Sequence, residues 1–381
     1  MALPQPTPDA RAHSERVASR IREEIDASGG WISFERYMEL ALYEPGLGYY
    51  SAGAKKLGKA GDFVTAPEIS PLYGQTLARQ VHEIMESGFD EVLEVGAGSG
   101  ALAATLLEEL ERSGKPPRSY LILELSADLR ERSRDTLAAR VPHLLERVAW
   151  LNRLPPSFSG VVLGNEVLDA MPVRVVRIQG GRIEEGGVGV RRDRLDWSWR
   201  VASGELLEAA RALALPEGFR TEIGLAARGF ARALAGVLEK GVALFVDYGF
   251  PAKEYYHAQR REGTLMCHYR HHAHADPFFL PGLQDITSHV DFSAVAAAAG
   301  EGGLALAGYT SQAQFLVNCG ITEVMSRTPA EDRGKFLPLA NQANRLMSPA
   351  EMGELFKAVA FEKGVAAPLT GFREGDRRAA L

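Results

Sequence analysis

A glycine-rich turn between a predicted strand and a predicted helix is the clearest chemical signal in the sequence. The apolar segment 91–95 leads through Gly96-Ala97-Gly98-Ser99-Gly100 into a helical pattern over 101–112. Glycines let the backbone approach a ligand closely, and such a turn lies at the carboxyl edge of a parallel sheet. The segment therefore predicts a nucleotide-binding crevice.

The glycines alone do not decide which nucleotide the crevice binds. Gly96, Gly98 and Ala101 satisfy the relaxed dinucleotide fingerprint, so a nicotinamide-dependent oxidoreductase stays open. Glu94 lies just before the first glycine, where its carboxylate would repel a pyrophosphate and attract a cationic group. The glycine segment also follows about ninety residues of chain, whereas a dinucleotide domain often starts with it. Both features favour S-adenosylmethionine, which carries a positive sulfonium.

A second carboxylate ends the next predicted strand. Glu124 follows the apolar residues of strand 120–124. A carboxylate at this position can accept both hydrogen bonds from a ribose diol, a role that serves either cofactor. The alternative is a solvated carboxylate at a strand end with no ligand.

Polar residues also follow strand 160–164. Asn165 and Glu166 come directly after it, and Asp169 is three residues further on. Methyl transfer requires an aligned acceptor that then loses a proton, and carboxylates can hold an arginine fork. Glu166 is the main catalytic candidate, with Asn165 and Asp169 beside it. Alternatively, Asn165 caps a short helix at 166–170.

The surrounding sequence predicts an α/β fold. Helices alternate with short, nearly all-apolar strands, which is typical of a parallel sheet covered on both faces. The predicted helices are 11–27, 34–43, 74–86, 101–112, 127–139, 222–239, 291–299, 311–325 and 350–362. The predicted strands are 91–95, 120–124, 147–151, 160–164, 173–178, 182–190, 242–246 and 304–309.

These elements suggest a division of the chain. Residues 1–72 would form a helical cap and a glycine-rich lid, and 73–172 the first part of a nucleotide-binding domain. Residues 173–220 read as an insertion because their strands look antiparallel around Gln179-Gly180-Gly181. Residues 221–381 would complete the domain, with an irregular substrate-side loop at 248–290.

Composition and charge exclude several classes of protein. The chain has 381 residues, 46% hydrophobic and 24% charged, so disorder of the whole chain is excluded. A net charge of −6 argues against a nucleic-acid binder. The two cysteines cannot build a disulfide framework or a four-cysteine zinc site.

Targeting signals are also missing from the sequence pattern. The first thirty residues mix arginine with glutamate, which fits neither a secretory signal nor a transit peptide. No apolar run reaches the roughly 18 residues that a membrane span needs. We therefore expect a cytoplasmic protein without a membrane span.

Four histidines fall within seven residues, at His268, His271, His272 and His274. Metal ligation would need several of these side chains to converge, and a run in a loop has no fixed geometry. We expect a basic and aromatic loop near the acceptor site and no metal.

Four further residues are candidates on the substrate side. Asp247 and Tyr248 follow the strand 242–246, and Tyr248 could line a substrate channel. Asp285 and His289 could act as proton relays near the acceptor, although His289 could equally start a helix.

Seven segments spread over more than 250 residues carry a family resemblance. They are Ile32–Met38, Leu47–Tyr50, Gly61–Ser70, Glu94–Gly100, Asn165–Asp169, Asp247–Gly249 and Gln284–Asp291. Together they resemble the MidA family of class I S-adenosylmethionine-dependent methyltransferases, whose mitochondrial member is an arginine methyltransferase assisting assembly of respiratory complex I. Gly61–Ser70 is particularly specific, because a generic methyltransferase has nothing like it.

The resemblance implies a Rossmann-like, seven-stranded class I methyltransferase sheet with a helical N-terminal cap and an inserted α+β subdomain. It implies S-adenosyl-L-methionine as cofactor and an arginine-bearing protein as substrate, with a non-enzymatic assembly factor as the alternative. Thr65, Pro67 and Glu68 would belong to a lid over the cofactor. The other implied cofactor contacts are Glu94, Gly96, Ala97, Gly98, Gly100, Glu124, Leu125 and Asn165.

Overall fold

The computed structural model describes residues 3–52 and 65–381 and divides the chain into two compact units. Unit 1 comprises Met1–Phe63, Leu168–Gly229 and Phe250–Asp291. Unit 2 comprises Val64–Val167, Phe230–Gly249 and Phe292–Leu381. Residues 173–220, predicted to be an insertion, fall within unit 1. The part of the predicted lid motif from Gly61 to Val64 lies outside the described residues.

The helices and strands are numbered in chain order. The helices are α1 (Pro8–Ala27), α2 (Phe34–Tyr43), α3 (Ala66–Ile69), α4 (Pro71–Glu86), α5 (Ala101–Arg112), α6 (Ala127–Arg140), α7 (Gly204–Ala212), α8 (Leu225–Val237), α9 (Ala252–Tyr255), α10 (Phe292–Glu301), α11 (Gln312–Asn318), α12 (Ile321–Met325) and α13 (Arg333–Met347). The strands are β1 (Ile32–Ser33), β2 (Glu91–Val95), β3 (Ser119–Leu123), β4 (Val148–Leu151), β5 (Phe158–Asn165), β6 (Arg174–Gln179), β7 (Arg182–Arg191), β8 (Arg194–Val201), β9 (Arg220–Ile223), β10 (Leu238–Phe250), β11 (Met266–Tyr269), β12 (His272–His274), β13 (Asp285–Thr287), β14 (Val290–Asp291), β15 (Ala305–Ser311) and β16 (Phe356–Lys363).

Unit 2 is built on a mixed sheet with the strand order β15-β16-β10-β5-β2-β3-β4. The five strands from β10 to β4 are parallel to one another, and β16 is antiparallel to both of its neighbours. The chain starts at β2, proceeds to β3 and β4 on one side, and then crosses to β5 on the other. The strand order therefore reverses between β2 and β5, which is where such sheets bind ligands.

Helices with apolar faces pack into the core of unit 2. In α5 the good helix formers Ala and Leu dominate, and Leu102, Leu106, Leu107 and Leu110 are buried. The central strands read as continuous apolar runs because both of their faces are covered. The predicted α/β class is confirmed. The strand order of unit 2 contains the predicted seven strands.

Unit 1 contains two antiparallel sheets and the N-terminal helices. One sheet has the order β1-β7-β6-β9 with β8 paired to β7, and the other has the order β12-β11-β13. The predicted amphipathic face of α1 is confirmed, since Val17, Ile21 and Ile25 are buried. Ser33 caps α2 as predicted, because its side chain accepts the backbone N–H of Arg36 at 3.1 Å.

The predicted helix at 350–362 is wrong. Residues 356–363 instead form β16, which inserts between β15 and β10 and is buried over most of its length. A short apolar run does not by itself distinguish a buried strand from a buried helix. The helix α13, which the prediction missed, contains Pro338, a residue that argues against a helix in the sequence.

Four further boundaries differ from prediction. Residues 166–170 form a turn rather than a short helix. The predicted helix 222–239 loses its first residues to β9 and its last to β10, and the predicted helix 311–325 is split in two at Gly320, whose φ is +79°. The stretch 248–290, predicted to be irregular, contains α9, β11, β12 and β13. Across residues 3–52 and 65–381, no helix combines the length and apolarity needed to cross a bilayer.

Candidate active site

The glycine turn after β2 takes a backbone shape that requires glycine. Gly96, Gly98 and Gly100 have φ values of +68°, +56° and +80°, which are in the left-handed region. A Cβ on Gly100 would lie 2.9 Å from the Cα of Ser133. The turn therefore brings bare backbone to the carboxyl edge of the sheet, as a nucleoside ligand requires.

Glu94 is held inside unit 2 beneath this turn. Its side chain is 2% exposed, and its Oε2 accepts a hydrogen bond of 2.6 Å from the hydroxyl of Tyr120. Burial raises the pKa of Glu94 to about 7, against the lowering effect of the Tyr120 hydroxyl. The hydrogen-bond donor described for the Glu94 carboxylate is thus the Tyr120 hydroxyl. Pairing of Glu94 with a cationic group of a ligand stays a prediction.

Glu124 lies immediately after β3 and is fixed by backbone donors. The N–H of Ser126 donates to its Oε1 at 2.9 Å, and the backbone N–H groups of Gly98 and Leu125 also act to lower its pKa. Burial raises its pKa, while these donors oppose the change. The next residue, Leu125, is a large apolar side chain left 67% exposed. A fixed carboxylate beside an exposed apolar side chain suits a ribose and a flat base.

The turn after β5 places Glu166 in an unusual conformation. Its φ is +53°, a left-handed value that costs a non-glycine residue about 1–2 kcal/mol. The N–H of Glu166 donates to the carbonyl of Val246 at 2.9 Å, and the N–H of Val167 donates to Oδ2 of Asp247 at 3.0 Å. Strain of this kind persists where the surroundings over-determine it, often at functional sites.

Two donors from elsewhere in unit 2 reach the side chains of Asn165 and Glu166, which also bond to each other. The hydroxyl of Tyr73 donates to Oδ1 of Asn165 at 2.5 Å. Oε1 of Glu166 accepts from Nδ2 of Asn165 at 3.2 Å and from the N–H of Ala66 at 3.3 Å. The carboxylate of Glu166 is therefore oriented by donors from two separate chain segments.

The described part of the predicted lid also contacts the glycine turn. Ser99 in that turn donates from its hydroxyl to Oε1 of Glu68 in α3. Thr65 is the N-cap of α3 without a side-chain hydrogen bond, and Pro67 occupies the first turn. The structure thus brings the segment 65–69, the glycine turn and the turn after β5 together within unit 2.

Asp247 and Tyr248 both make contacts within unit 2. Asp247 is 1% exposed and accepts the N–H groups of Val167 and Tyr248 at 3.0 and 2.9 Å. The ring of Tyr248 packs against Phe356 at a centroid distance of 5.3 Å. These contacts make Asp247 a backbone anchor for the turn that carries Glu166.

The other predicted residues belong to unit 1. Asp285 is 2% exposed and accepts the hydroxyl of Tyr50 at 2.8 Å. Burial raises the pKa of Tyr50 well above its usual value, and the nearby charges of Asp285 and Asp169 add to the effect. The carbonyl of Asp169 accepts the N–H of Ser288, and the ring of His289 packs edge-on against Phe250. Asn165 and Asp169, though four residues apart, therefore lie in different units.

Three residues in the site of unit 2 were not among the predicted site residues. Tyr73, Ser99 and Tyr120 each donate a hydroxyl hydrogen bond to a predicted site residue. Ser99 could have been found from its place inside the glycine turn. Tyr73 lies within a helix and Tyr120 within a strand, and only tertiary packing shows which groups their hydroxyls contact.

The histidine-rich segment is an ordered hairpin rather than the predicted loop. Strands β11 and β12 pair in register around Arg270 and His271, whose φ values are +47° and +62°. A two-residue turn with both residues left-handed matches the twist of a hairpin. Within residues 3–52 and 65–381, no group of three or more His, Cys, Asp or Glu side chains is arranged to hold a metal ion.

Comparisons with known proteins identify the family of the chain. The family described as "Putative S-adenosyl-L-methionine-dependent methyltransferase" matches residues 75–310. A crystal structure from Burkholderia thailandensis, of a "likely methyl transferase" bound to S-adenosyl-homocysteine, is 51% identical, covers 100% of each chain and superposes with a TM-score of 0.96.

Curated relatives extend the similarity to animals. "Protein arginine methyltransferase NDUFAF7, mitochondrial" from Mus musculus is 30% identical, over 91% of this chain and 84% of the relative. Its counterpart from Danio rerio is 27% identical, over 95% and 93%. These matches decide against a nicotinamide-dependent oxidoreductase and favour an enzyme over a non-enzymatic assembly factor. With its glycine turn and strand-end carboxylates at the switch point of the sheet, the chain belongs to the MidA family of S-adenosyl-L-methionine-dependent methyltransferases.

Proposed function

We propose that this protein transfers a methyl group from S-adenosylmethionine to an arginine nitrogen of a partner protein. The observation that carries the proposal is the exposure of Glu166. Three other acids at this sheet edge, Glu94, Glu124 and Asp247, are buried, whereas Glu166 is half-buried with its carboxylate oriented. The names of the animal relatives support arginine as the acceptor.

The residues of unit 2 fit the cofactor. The glycine turn would approach the nucleoside with bare backbone, Glu124 would accept the ribose hydroxyls and Leu125 would cover the base. Asn165 would lie beside the methionine end, with Thr65, Pro67 and Glu68 above it. The bound cofactor supplies a methyl group activated by a positive sulfur.

Glu166 would act on the acceptor. The guanidinium of arginine is protonated in water, and a carboxylate matches its two parallel N–H donors. Glu166 would hold that fork and accept the proton that the methylated nitrogen loses. Because Ala66 and Asn165 fix Oε1 of Glu166, its carboxylate needs little reorganisation when the acceptor binds.

The test is transfer of tritium from labelled S-adenosylmethionine to protein. The acceptor source is an extract of the source cells in which the gene has been deleted, so that acceptor sites are unmethylated. We expect one labelled protein that yields methylarginine after hydrolysis. Label on another residue type would refute the arginine assignment.

A pair of matched variants tests the role of Glu166. Glu166→Gln should lower the labelling rate at least about 100-fold, the scale of a lost general base, and leave the affinity for S-adenosylhomocysteine within a few-fold. Glu131→Gln, an equivalent change on the exposed face of α6, should alter neither. An unchanged labelling rate in Glu166→Gln would remove Glu166 from the mechanism.

A further inference from the structure

A line of hydrogen bonds in unit 2 starts at Tyr73, a residue of α4 that is 1% exposed. Its hydroxyl donates to Oδ1 of Asn165, whose Nδ2 in turn donates to Oε1 of Glu166. The N–H of Ala66 donates to the same Oε1. Two of these bonds tie the turn after β5 to distant segments of the chain, one to α4 and one to α3.

The Tyr73 hydroxyl decides which way round the Asn165 amide lies. An amide side chain has an oxygen that accepts and a nitrogen that donates, and the two ends can exchange by a rotation of the group. Burial raises the pKa of Tyr73 well above its usual value, with Glu166 and Asp247 adding to the effect, so the hydroxyl keeps its proton. A protonated hydroxyl pointing at Oδ1 leaves Nδ2 to face Glu166.

The reverse orientation would oppose Glu166. With the amide turned round, Oδ1 would face the carboxylate, two acceptors would meet, and Nδ2 would face the Tyr73 hydroxyl. Of the two donors Asn165 Nδ2 and Ala66 N–H, the Glu166 carboxylate would then keep only Ala66. It could therefore rotate. A carboxylate that moves by about 1 Å no longer presents its second oxygen in the same direction, and such displacements lower rates strongly.

We propose that Tyr73 is a positioning residue for methyl transfer, which acts through Asn165 to hold the Glu166 carboxylate for the acceptor. The proposal rests on the function assigned to Glu166 above. Loss of the Tyr73 hydroxyl would let the Asn165 amide turn round but would leave Asn165 itself beside the methionine end, so the effect falls on the turnover rate and not on the affinity for the nucleoside.

Removal of the hydroxyl alone tests this role. Tyr73→Phe should lower the initial labelling rate at saturating S-adenosylmethionine about ten-fold, using deletion-strain extract as the acceptor. The concentration of S-adenosylmethionine that gives half the maximal rate, and the affinity for S-adenosylhomocysteine by calorimetry, should stay within two-fold. A crystal structure of Tyr73→Phe should show that the Asn165 Nδ2 to Glu166 Oε1 hydrogen bond is lost.

The matched control is Tyr37→Phe. Tyr37 is fully buried in unit 1, and its hydroxyl donates to the carbonyl of Pro277, so this change measures the general effect of deleting a buried tyrosine hydroxyl. Both variants should unfold at similar temperatures, and only Tyr73→Phe should lose rate.

The outcomes separate the two proposals. If Tyr73→Phe keeps the wild-type rate while Glu166→Gln loses it, the positioning role is wrong and the proposed function stands. Loss of rate with the Asn165 to Glu166 bond intact, or an equal loss in Tyr37→Phe, also overturns the positioning role. If Glu166→Gln keeps the wild-type rate, the role of Glu166 fails and the role of Tyr73 fails with it.

Discussion

Substitution of Gly100 by alanine should damage the cofactor turn through two separate effects. Gly100 has a φ of +80°, and an alanine at that value costs about 1–2 kcal/mol. The new Cβ would lie 2.9 Å from the Cα and 3.0 Å from the Cβ of Ser133 in α6. Because the nearest atom belongs to the backbone, no side-chain rotation relieves the contact, and overpacking of this kind costs about 1–3 kcal/mol.

Gly114, at the other end of α5, provides the matched control. Its φ is +79°, but a Cβ there would meet nothing within 4 Å. The loss of stability in Gly114→Ala therefore comes from backbone strain alone. This loss is smaller by about 0.4–1 kcal/mol than the strain itself, because alanine restricts the unfolded chain. We expect Gly100→Ala to lower the free energy of unfolding by about 1–3 kcal/mol more than Gly114→Ala.

The assays are urea denaturation followed by far-ultraviolet circular dichroism and calorimetric titration with S-adenosylhomocysteine. Gly100→Ala should weaken binding at least about ten-fold, about 1.4 kcal/mol, because the turn must shift to relieve the contact with Ser133. Gly114→Ala should bind as the wild type does. Equal losses of stability in the two variants, or unchanged affinity in Gly100→Ala, would refute the reasoning.

Three further outcomes are expected. Burial raises the pKa of Glu94 from 4.5 to about 7, so the cost of its ionisation is absent below pH 4.5, grows up to about pH 7 and is then constant. Between pH 4.5 and 8, the free energy of unfolding of Glu94→Gln should therefore rise relative to that of the wild type by up to about 3 kcal/mol. Urea denaturation measures this, and a difference between the two proteins that does not change with pH would contradict it. Asp247→Asn should lower the free energy of unfolding by about 1–3 kcal/mol and should lower the labelling rate, because the two N–H groups bond to different carboxylate oxygens and the amide replaces one of these with a donor. An unchanged rate would show that the anchor is dispensable. Leu125→Ala should weaken S-adenosylhomocysteine binding without loss of stability, whereas Leu337→Ala, also an exposed leucine, should change neither, and calorimetry that shows equal affinities would exclude Leu125 from the pocket.

Local sequence patterns determined the elements that build the cofactor turn. The strand over 91–95 and the helix over 101–112 were predicted with the observed bounds, and the three glycines occupy left-handed positions. These predictions succeeded because glycine freedom, apolar runs and good helix formers act over a few residues. The strand-end position of Asn165, Glu166 and Glu124 followed from the same patterns.

Tertiary structure alone decided the features that depend on distant partners. Residues 356–363 form a strand because β10 and β15 provide hydrogen-bonding edges on both sides, which no local pattern reveals. Glu166 adopts a left-handed conformation because Val246 and Asp247, about eighty residues away in the sequence, bind the backbone of its turn. Likewise, Glu94 meets Tyr120 and Asn165 meets Tyr73 only after the sheet and α4 have packed. Local sequence thus determined which chemical groups lie at the site, and long-range packing determined their hydrogen-bond partners and their orientation.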